Sequence, residues 1–340
     1  MSNTDSPPGS GDLPGLDLAA LRGWLDGALP ELADGELSAS LIAGGRSNLT
    51  YAVQDGTNRW VLRRPPLGHV LPTAHDMGRE YRVLAALRPG PVPVPTPLAA
   101  CADPEVIGAP FYLMEFVDGA LLRTAEDLAG LGPERATVVA HALIDVLADL
   151  HEVDPAEIGL ADFGRPAGFL ERQVSRWKKQ LDASYTRPLP GALELHAALA
   201  ESIPSDGPPA LVHGDYRLDN VLVGADDQIA AVLDWEMATL GDPLTDLGLF
   251  LVYWSEIVGT HAALPSGDQL IARYAARRKV DLSRLDWYVA FACFKLAVIS
   301  EGIHARFAAG QTVGEGFERI GDGVLPLIGR GRALLDRPAP

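Results

Sequence analysis

Hydrophobic and polar positions along the chain change period part of the way through, and that change divides it. Residues 16–29 space their leucines as a short helix. Residues 41–53 are strand-like on both sides of a small-residue turn that carries Gly44, Gly45, Arg46, Ser47 and Asn48. Residues 59–64 (RWVLRR) read as a strand stopped by Pro65 and Pro66, with Val61 and Arg63 on one face because strand side chains alternate. Residues 73–87 predict a helix with Thr73 and Asp76 as its N-terminal capping pair. Met77, Tyr81, Leu84 and Leu87 form its apolar stripe, and Glu80 borders that inner face. A carboxylate there needs a cationic partner, since an unpaired buried charge is costly. Residues 88–97 are a Pro-rich loop, and residues 111–117 (FYLMEFV) are a strand that runs into Asp118-Gly119.

Beyond that point helical spacing dominates. Pro133 opens a helix with Val139, Leu143, Leu147 and Leu150 on one stripe, ending near His151. Residues 172–180 (RQVSRWKKQ) and 273–279 (RYAARRK) are basic helical stretches, and residues 286–307 form an apolar helix. Residues 211–247 interrupt this pattern. An apolar pair leads into a polar loop with His213, Asp215, Arg217, Asp219 and Asn220. Apolar residues 221–223 follow, then the turn Gly224-Ala225-Asp226-Asp227, then an apolar run from 229 to 233 that ends in Asp234. This reads as a hairpin. Folding near Asp227 brings Asn220 and Asp234 close together, within a residue of register.

Composition narrows the functional classes. The 340-residue chain is 47% hydrophobic and 21% charged, as expected of a globular protein. Its net charge of −17 argues against non-specific nucleic-acid binding, which needs clustered Lys and Arg. Cys101 and Cys293 supply neither a disulfide framework nor zinc-ligand spacing. The N-terminus lacks a basic and apolar leader, and the longest clean apolar run, residues 247–254, is short of the roughly 20 residues that span a bilayer. A soluble cytoplasmic protein with no membrane contact is expected. Neither G-x-x-x-x-G-K-[ST] nor a G-x-G-x-x-G following a strand occurs, which excludes the P-loop and the dinucleotide fingerprint.

The chemistry concentrates in the 211–247 loop. A carboxylate and an amide oxygen brought together beside a further Asp suit a hard, oxygen-seeking cation such as Mg²⁺. His213-Gly214-Asp215-x4-Asn220, followed by Asp234-Trp235-Glu236, resembles the catalytic loop and metal-binding Asp of the aminoglycoside phosphotransferase and choline kinase family, a branch of the protein-kinase-like fold. HGDYRLDN with LDWEMATLGDPLTDLG is most similar to the kinase-like modules associated with acyl-CoA dehydrogenases.

The resemblance implies an α+β, two-lobed fold with a small β-rich N-lobe and a larger, mainly helical C-lobe. Residues 1–15 would be a flexible tail, 16–117 the nucleotide-binding N-lobe, and 118–340 the C-lobe with catalytic loop, metal site and helical acceptor-binding region. It implies an ATP- (or other NTP-) and Mg²⁺-dependent phosphotransferase acting on an alcohol group of a small molecule. Asp215 would take or orient the acceptor proton, and Arg217 would neutralise phosphate charge. Asn220 and Asp234 would hold Mg²⁺. Gly45, Ser47 and Asn48 would approach phosphate, and Arg63 would replace the usual phosphate-binding lysine, with Arg64 as the alternative and Glu80 as its partner. Backbone at Glu115, Phe116 and Val117 would hold the adenine.

His213 is expected to shape the loop and Asp246 to brace it from behind, while Glu236 is either near the metal or simply exposed. A hydroxyacyl-CoA is one candidate acceptor, with the two basic stretches meeting its phosphates. An aminoglycoside or amino alcohol is the competitor. A nucleotide-binding pseudokinase, favoured by arginine at the lysine position, and a metal-dependent hydrolase using His213 and Asp215 are readings from other classes.

Overall fold

A computed structural model describes residues 13–42, 48–68, 75–205, 207–258, 264–311 and 316–336. The chain forms two compact units. The N-terminal one comprises Met1–Ala120 with Ala230–Glu236, and the C-terminal one comprises Leu121–Ile229 with Met237–Pro340.

In the N-terminal unit, helix α1 (Leu18–Ala28) starts at Asp17, whose carboxylate accepts the backbone N–H groups of Ala19 and Ala20. Strands β1 (Ser38–Leu41), β2 (Leu49–Gln54), β3 (Arg59–Arg64), β4 (Pro97–Cys101) and β5 (Phe111–Glu115) make one sheet, in the order β1-β2-β3-β5-β4 and antiparallel throughout. Alternation sorts the side chains. Tyr51, Val53, Trp60, Leu62, Phe111 and Leu113 enter one core with Leu21 and Leu25 of α1, where Trp24 meets Phe111 edge-on at 4.9 Å between ring centroids. Arg63 stands on the opposite face, directly across the ladder from Thr50 and Tyr112.

The next residue, Arg64, therefore points the other way. It is buried, and its guanidinium donates to the carbonyls of Gly15 and of Ile107, the latter at 2.8 Å. Helix α2 (Met77–Leu87) is shorter than the expected 73–87. Asp76 caps it, accepting the Arg79 N–H, while Thr73, the other member of the expected pair, lies outside the described residues. Its buried stripe is also rotated from the expected one. Met77, Glu80, Val83, Leu84 and Leu87 face inward, while Tyr81 is only half-buried, so Glu80 lies on the inner face itself rather than at its border.

The C-terminal unit begins with α3 (Ala125–Ala129), held by a Thr124/Asp127 capping box, and α4 (Pro133–Glu152). The stripe of α4 (Val139, Leu143, Leu147, Leu150) is buried as its spacing predicts. Helices α5 (Phe169–Ser184) and α6 (Ala192–Glu201) follow. Strand β6 (Ala210–Val212) pairs with β9 (Thr239–Gly241). After β7 (Val221–Val223) the chain turns where expected, with Asp227 at φ 63° and its N–H donated to the Gly224 carbonyl, and β8 (Ile229–Val232), the partner strand of this hairpin, carries it into the segment that belongs to the N-terminal unit. Asp227 also receives the Arg135 guanidinium on α4.

Four helices complete the unit: α7 (Leu244–Val258), α8 (Gly267–Arg278), α9 (Leu285–Ala308) and α10 (Val324–Leu335). By length and composition α9 could cross a membrane, at 24 residues with a window of mean hydropathy 1.3, but 61% of that window is buried here, where α9 packs on α5, α7 and α10. The 247–254 run is thus not the strongest apolar segment, because helical packing tolerates the Asp286, Lys295 and Glu301 that interrupt α9 in sequence. The basic stretch 273–279 also has a different use from the expected one. Arg273 binds Asp145 at 2.6 and 2.7 Å, Arg277 binds Asp149, and Arg278 binds Glu152 at 2.9 Å, fastening α8 to α4. These arginines are spent on the protein's own carboxylates rather than held out for a ligand's phosphates.

Helices α7 and α9 approach so closely at Gly248 that an added Cβ would meet the Tyr288 carbonyl oxygen at 2.6 Å. Gly248→Ala is therefore expected to destabilise the protein by about 1–3 kcal/mol despite its better helix propensity. Urea unfolding measures this, and a stability equal to or above that of the parent would contradict the close packing.

Candidate active site

Two clusters of functional side chains form, one within each unit. In the N-terminal unit the centre is Arg63, whose side chain is only 11% exposed. Its Nε lies 2.9 Å from Glu80 Oε2, and its terminal nitrogen binds Asp234 Oδ1. Glu80, 1% exposed, also accepts the Tyr112 hydroxyl at 3.0 Å and the Asn48 amide at 3.2 Å. Burial pushes the Glu80 carboxyl up to about 7, with Arg63 pulling in the opposite direction. Burial also raises the Tyr112 hydroxyl well above the usual phenol range, so this tyrosine remains a donor.

Asp234 occupies the left-handed region at φ 65°, uncommon for a residue with a Cβ, and its side chain remains 31% exposed. The Asn48 amide bridges Glu80 and Glu236, the latter at 3.0 Å, and its Oδ1 has no hydrogen-bond partner among the described residues. Its side chain thus serves the interior of the unit. Gly45 and Ser47 lie outside the described residues. Glu236 is neither fully exposed nor free: it receives Asn48 and faces His75 Nδ1 at 3.4 Å. Glu115 ends β5, and its N–H is taken by the Thr96 carbonyl at 2.8 Å. The half-buried Phe116 and Val117 follow outside the strand, with the Arg59 guanidinium 3.5 Å from the Phe116 centroid.

In the C-terminal unit the loop between β6 and β7 is fixed by Asp246, the third residue of α7. This buried carboxylate accepts the backbone N–H groups of His213 at 2.6 Å and Gly214 at 2.8 Å. Gly214 is at φ 83°, and a Cβ there would come 2.8 Å from the Met237 carbonyl oxygen, so glycine is required for both reasons. His213 Nδ1 accepts the Asp215 N–H at 3.2 Å, which makes this histidine a shaper of the loop. Asp215 then presents its carboxylate, with Oδ2 receiving the Asn220 amide at 3.0 Å and Oδ1 the Tyr253 hydroxyl at 3.2 Å.

Asn220 also donates to the Asp215 carbonyl at 2.8 Å. Both amide hydrogens are thereby engaged, and the amide oxygen remains as the atom that could ligate a cation. Arg217 binds Asp219 at 2.5 Å, lies 3.9 Å from Asp215, and stacks over Tyr253 at 4.9 Å. Among the described residues no group of three or more His, Cys, Asp or Glu side chains could hold a metal ion. Within the C-terminal unit the Asn220 amide oxygen, and within the N-terminal unit the partly exposed Asp234 carboxylate, are each an oxygen donor of the kind Mg²⁺ takes, since that ion uses one or two protein oxygens and completes its shell with water and phosphate.

Three contributors were not recognised from sequence. Tyr112 was legible in principle, since it sits opposite Arg63 in the sheet register. Tyr253 was absorbed into an apolar run. Lys295, whose Nζ donates to the Gly214 carbonyl at 2.6 Å, was hidden inside the apolar α9 pattern.

Behind the loop, His151 Nδ1 lies 2.8 Å from the Tyr274 hydroxyl and Nε2 lies 3.4 Å from Asp246. Burial holds His151 below the ordinary histidine range. Burial alone would raise the Asp246 carboxyl, but hydrogen bonds from His151 and the His213 N–H hold it low. A neutral histidine paired with an ionised aspartate is consistent with both shifts. The unfolded chain then binds a proton at His151 below about pH 6.5 and the folded one does not, so stability falls as pH drops through that value. Thermal midpoints measured from pH 7.5 to 5 should decline, with a shallower slope in His151→Gln. An identical slope in the variant would contradict a neutral buried His151.

Comparison with known proteins gives the family. The phosphotransferase enzyme family matches over residues 38–288. Acyl-CoA dehydrogenase family member 11 of Gallus gallus is 36% identical over 325 residues, which cover 91% of this chain and 42% of that protein. The chain thus spans less than half the length of this relative. A provisionally assigned aminoglycoside phosphotransferase from Ralstonia eutropha JMP134, known from its crystal structure, is 32% identical with a TM-score of 0.83, covering 94% of this chain and 98% of its own. A thermostable mutant of aminoglycoside phosphotransferase APH(4)-Ia, in ternary complex with AMP-PNP and hygromycin B, shares the fold at a TM-score of 0.58 and 17% identity, over 93% of this chain and 97% of its own. The kinase-like fold expected from the 213–236 motifs is the one these relatives have, and this chain belongs to the phosphotransferase enzyme family.

Proposed function

We propose that the protein transfers the γ-phosphate of ATP, or another nucleoside triphosphate, to a hydroxyl of a small molecule, with Mg²⁺ as the metal. The observation that carries this reading is the state of Asp215. Its carboxylate is held from both sides by Asn220 and Tyr253, on a loop pinned by Asp246, with the Arg217 guanidinium 3.9 Å away. Each of its oxygens keeps a second lone pair for an incoming O–H. The acceptor oxygen forms a bond to the γ-phosphorus, and the bond from that phosphorus to the bridging oxygen breaks. The nucleoside diphosphate leaves, and the acceptor proton passes to Asp215.

Arg63 contributes a guanidinium already oriented by Glu80 and adjoining Asp234, so the phosphate contact is assigned to Arg63 and not to Arg64. Asn220 and Asp234 are the proposed oxygen donors to Mg²⁺, which supplies charge neutralisation on the phosphates when bound. Arg217 adds positive charge beside Asp215. Phe116, Val117 and the Glu115 carbonyl are assigned to the adenine, since the Glu115 N–H is already occupied.

A hydroxyacyl-CoA is the proposed acceptor. Support comes from the likeness to an acyl-CoA dehydrogenase family member, a protein more than twice as long as the matched region. The competing acceptor, an aminoglycoside or amino alcohol, is supported by the Ralstonia relative. The ordered Asp215 weighs against a pseudokinase.

Asp215→Asn keeps the shape and the Tyr253 contact but removes the proton acceptor. Turnover with Mg·ATP and an accepted hydroxy substrate should fall by about 10²–10⁴-fold. Titration with a non-hydrolysable nucleotide should still show binding. Transfer within threefold of the parent would remove Asp215 from the reaction.

A further inference from the structure

Two carboxylates flank the Arg217 guanidinium, and only one of them is bonded to it. A terminal nitrogen lies 2.5 Å from Asp219 Oδ2, while Nε stays 3.9 Å from Asp215 Oδ2. The first contact is a charge-assisted hydrogen bond, and the second is too long to be one. Exposure does not account for the difference, because both carboxylates are 33% exposed. Burial raises the Asp219 carboxyl, Arg217 opposes it, Asp215 pushes it further up, and Arg123 adds a second opposing charge. The two acids therefore compete for one cation in one partly desolvated space.

Tyr253 touches both partners. Its hydroxyl donates to Asp215 Oδ1 at 3.2 Å, and the Arg217 guanidinium lies over its ring, 4.9 Å from the centroid. Burial and the neighbouring Asp215 charge raise the phenol above its ordinary range, so it stays a donor. The ring face supports the guanidinium while Arg217 keeps its bond to Asp219. The reaction above gives Asp219 no part. A proton acceptor, however, needs a lone pair that no cation has taken. A guanidinium in direct contact with Asp215 would take the second lone pair of Oδ2 and favour the ionised carboxylate, weakening it as a base.

We propose that Asp219 is a positioning residue: by holding Arg217 over Tyr253 it keeps the guanidinium off Asp215, so that the cation stays beside the reacting groups without taking the oxygen that receives the acceptor proton. This rests on the phosphotransferase reading of Asp215 and deepens it. Once the Asp219 charge is removed, Asp215 is the nearest remaining carboxylate to Arg217 among the described residues. It lies about 1 Å beyond hydrogen-bond length, and the guanidinium closes on it.

The test uses the full chain with Mg·ATP and whichever acceptor it phosphorylates best among a hydroxyacyl-CoA, an amino alcohol and kanamycin. Asp219→Asn should lower kcat about tenfold or more and leave KM for ATP and for the acceptor within threefold. Asp219→Glu keeps the charge and should hold kcat within threefold of the parent. In an Arg217→Met background no guanidinium can close on Asp215, and there Asp219→Asn should change kcat by less than about twofold. Asp219→Ser carries the same comparison if the Asn variant does not fold. A loss in the Arg217→Met background as large as in the parent marks a merely structural role for Asp219 and overturns the proposal. So does an unchanged kcat in Asp219→Asn, or a loss equally deep in Asp219→Glu. Absence of transfer by the parent to every acceptor overturns the phosphotransferase reading, and this role with it.

Discussion

The N-terminal cluster depends on one constraint: a cation buried among acids must be balanced on every side. Arg63 is held by Glu80 within the protein and by Asp234 at a partly exposed edge. Glu80 does not tolerate the loss of the arginine, because breaking a buried pair leaves an uncompensated charge at a cost of about 3–5 kcal/mol, whereas the partly exposed Asp234 can be answered by water. The same balance orients the guanidinium. Glu80 fixes its Nε side and leaves the outer nitrogens beside Asp234, where a phosphate could compete for them. Tyr112 and Asn48 also donate to Glu80, which holds the carboxylate in place beside the arginine.

The C-terminal unit solves a related problem with backbone donors. Asp246 is buried at the start of α7, and two consecutive N–H groups of the loop point at it. This pins the loop at the position where Gly214 takes a conformation closed to other residues and where Asp215 turns outward. His151 and Tyr274, from α4 and α8, complete the shell of Asp246, and the arginines of α8 bind the acids of α4. A basic stretch that looks like a ligand surface in sequence is in this way part of the scaffold beneath the loop.

Strand period and hairpin chemistry made β3, β5 and the 221–232 hairpin legible, since each rests on local alternation and on turn residues such as Asp227. The Arg63–Glu80 pair was legible from a buried carboxylate's need for a cation together with the family resemblance, which pointed to Arg63. The start of α2 was less so, because several polar residues can cap and only the backbone path selects Asp76. Longer-range outcomes were not legible. Sequence spacing shows that Tyr253 and Lys295 lie in apolar helices, but it does not show which turn of a helix faces the 213–220 loop. The use of Arg273 and Arg277 depends on acids more than a hundred positions away. Residue type specified the chemistry, and packing decided whether each charge met a neighbour or a ligand.

The central claim is that Glu80 acts on nucleotide through Arg63 and not independently of it. A double-mutant cycle of Arg63→Met and Glu80→Gln, read as Mg·nucleotide affinity by titration calorimetry, addresses this directly. The account predicts that the double variant binds no more than about threefold more weakly than Arg63→Met alone, as expected of residues acting as one unit. Losses from the two substitutions that simply multiply would contradict it.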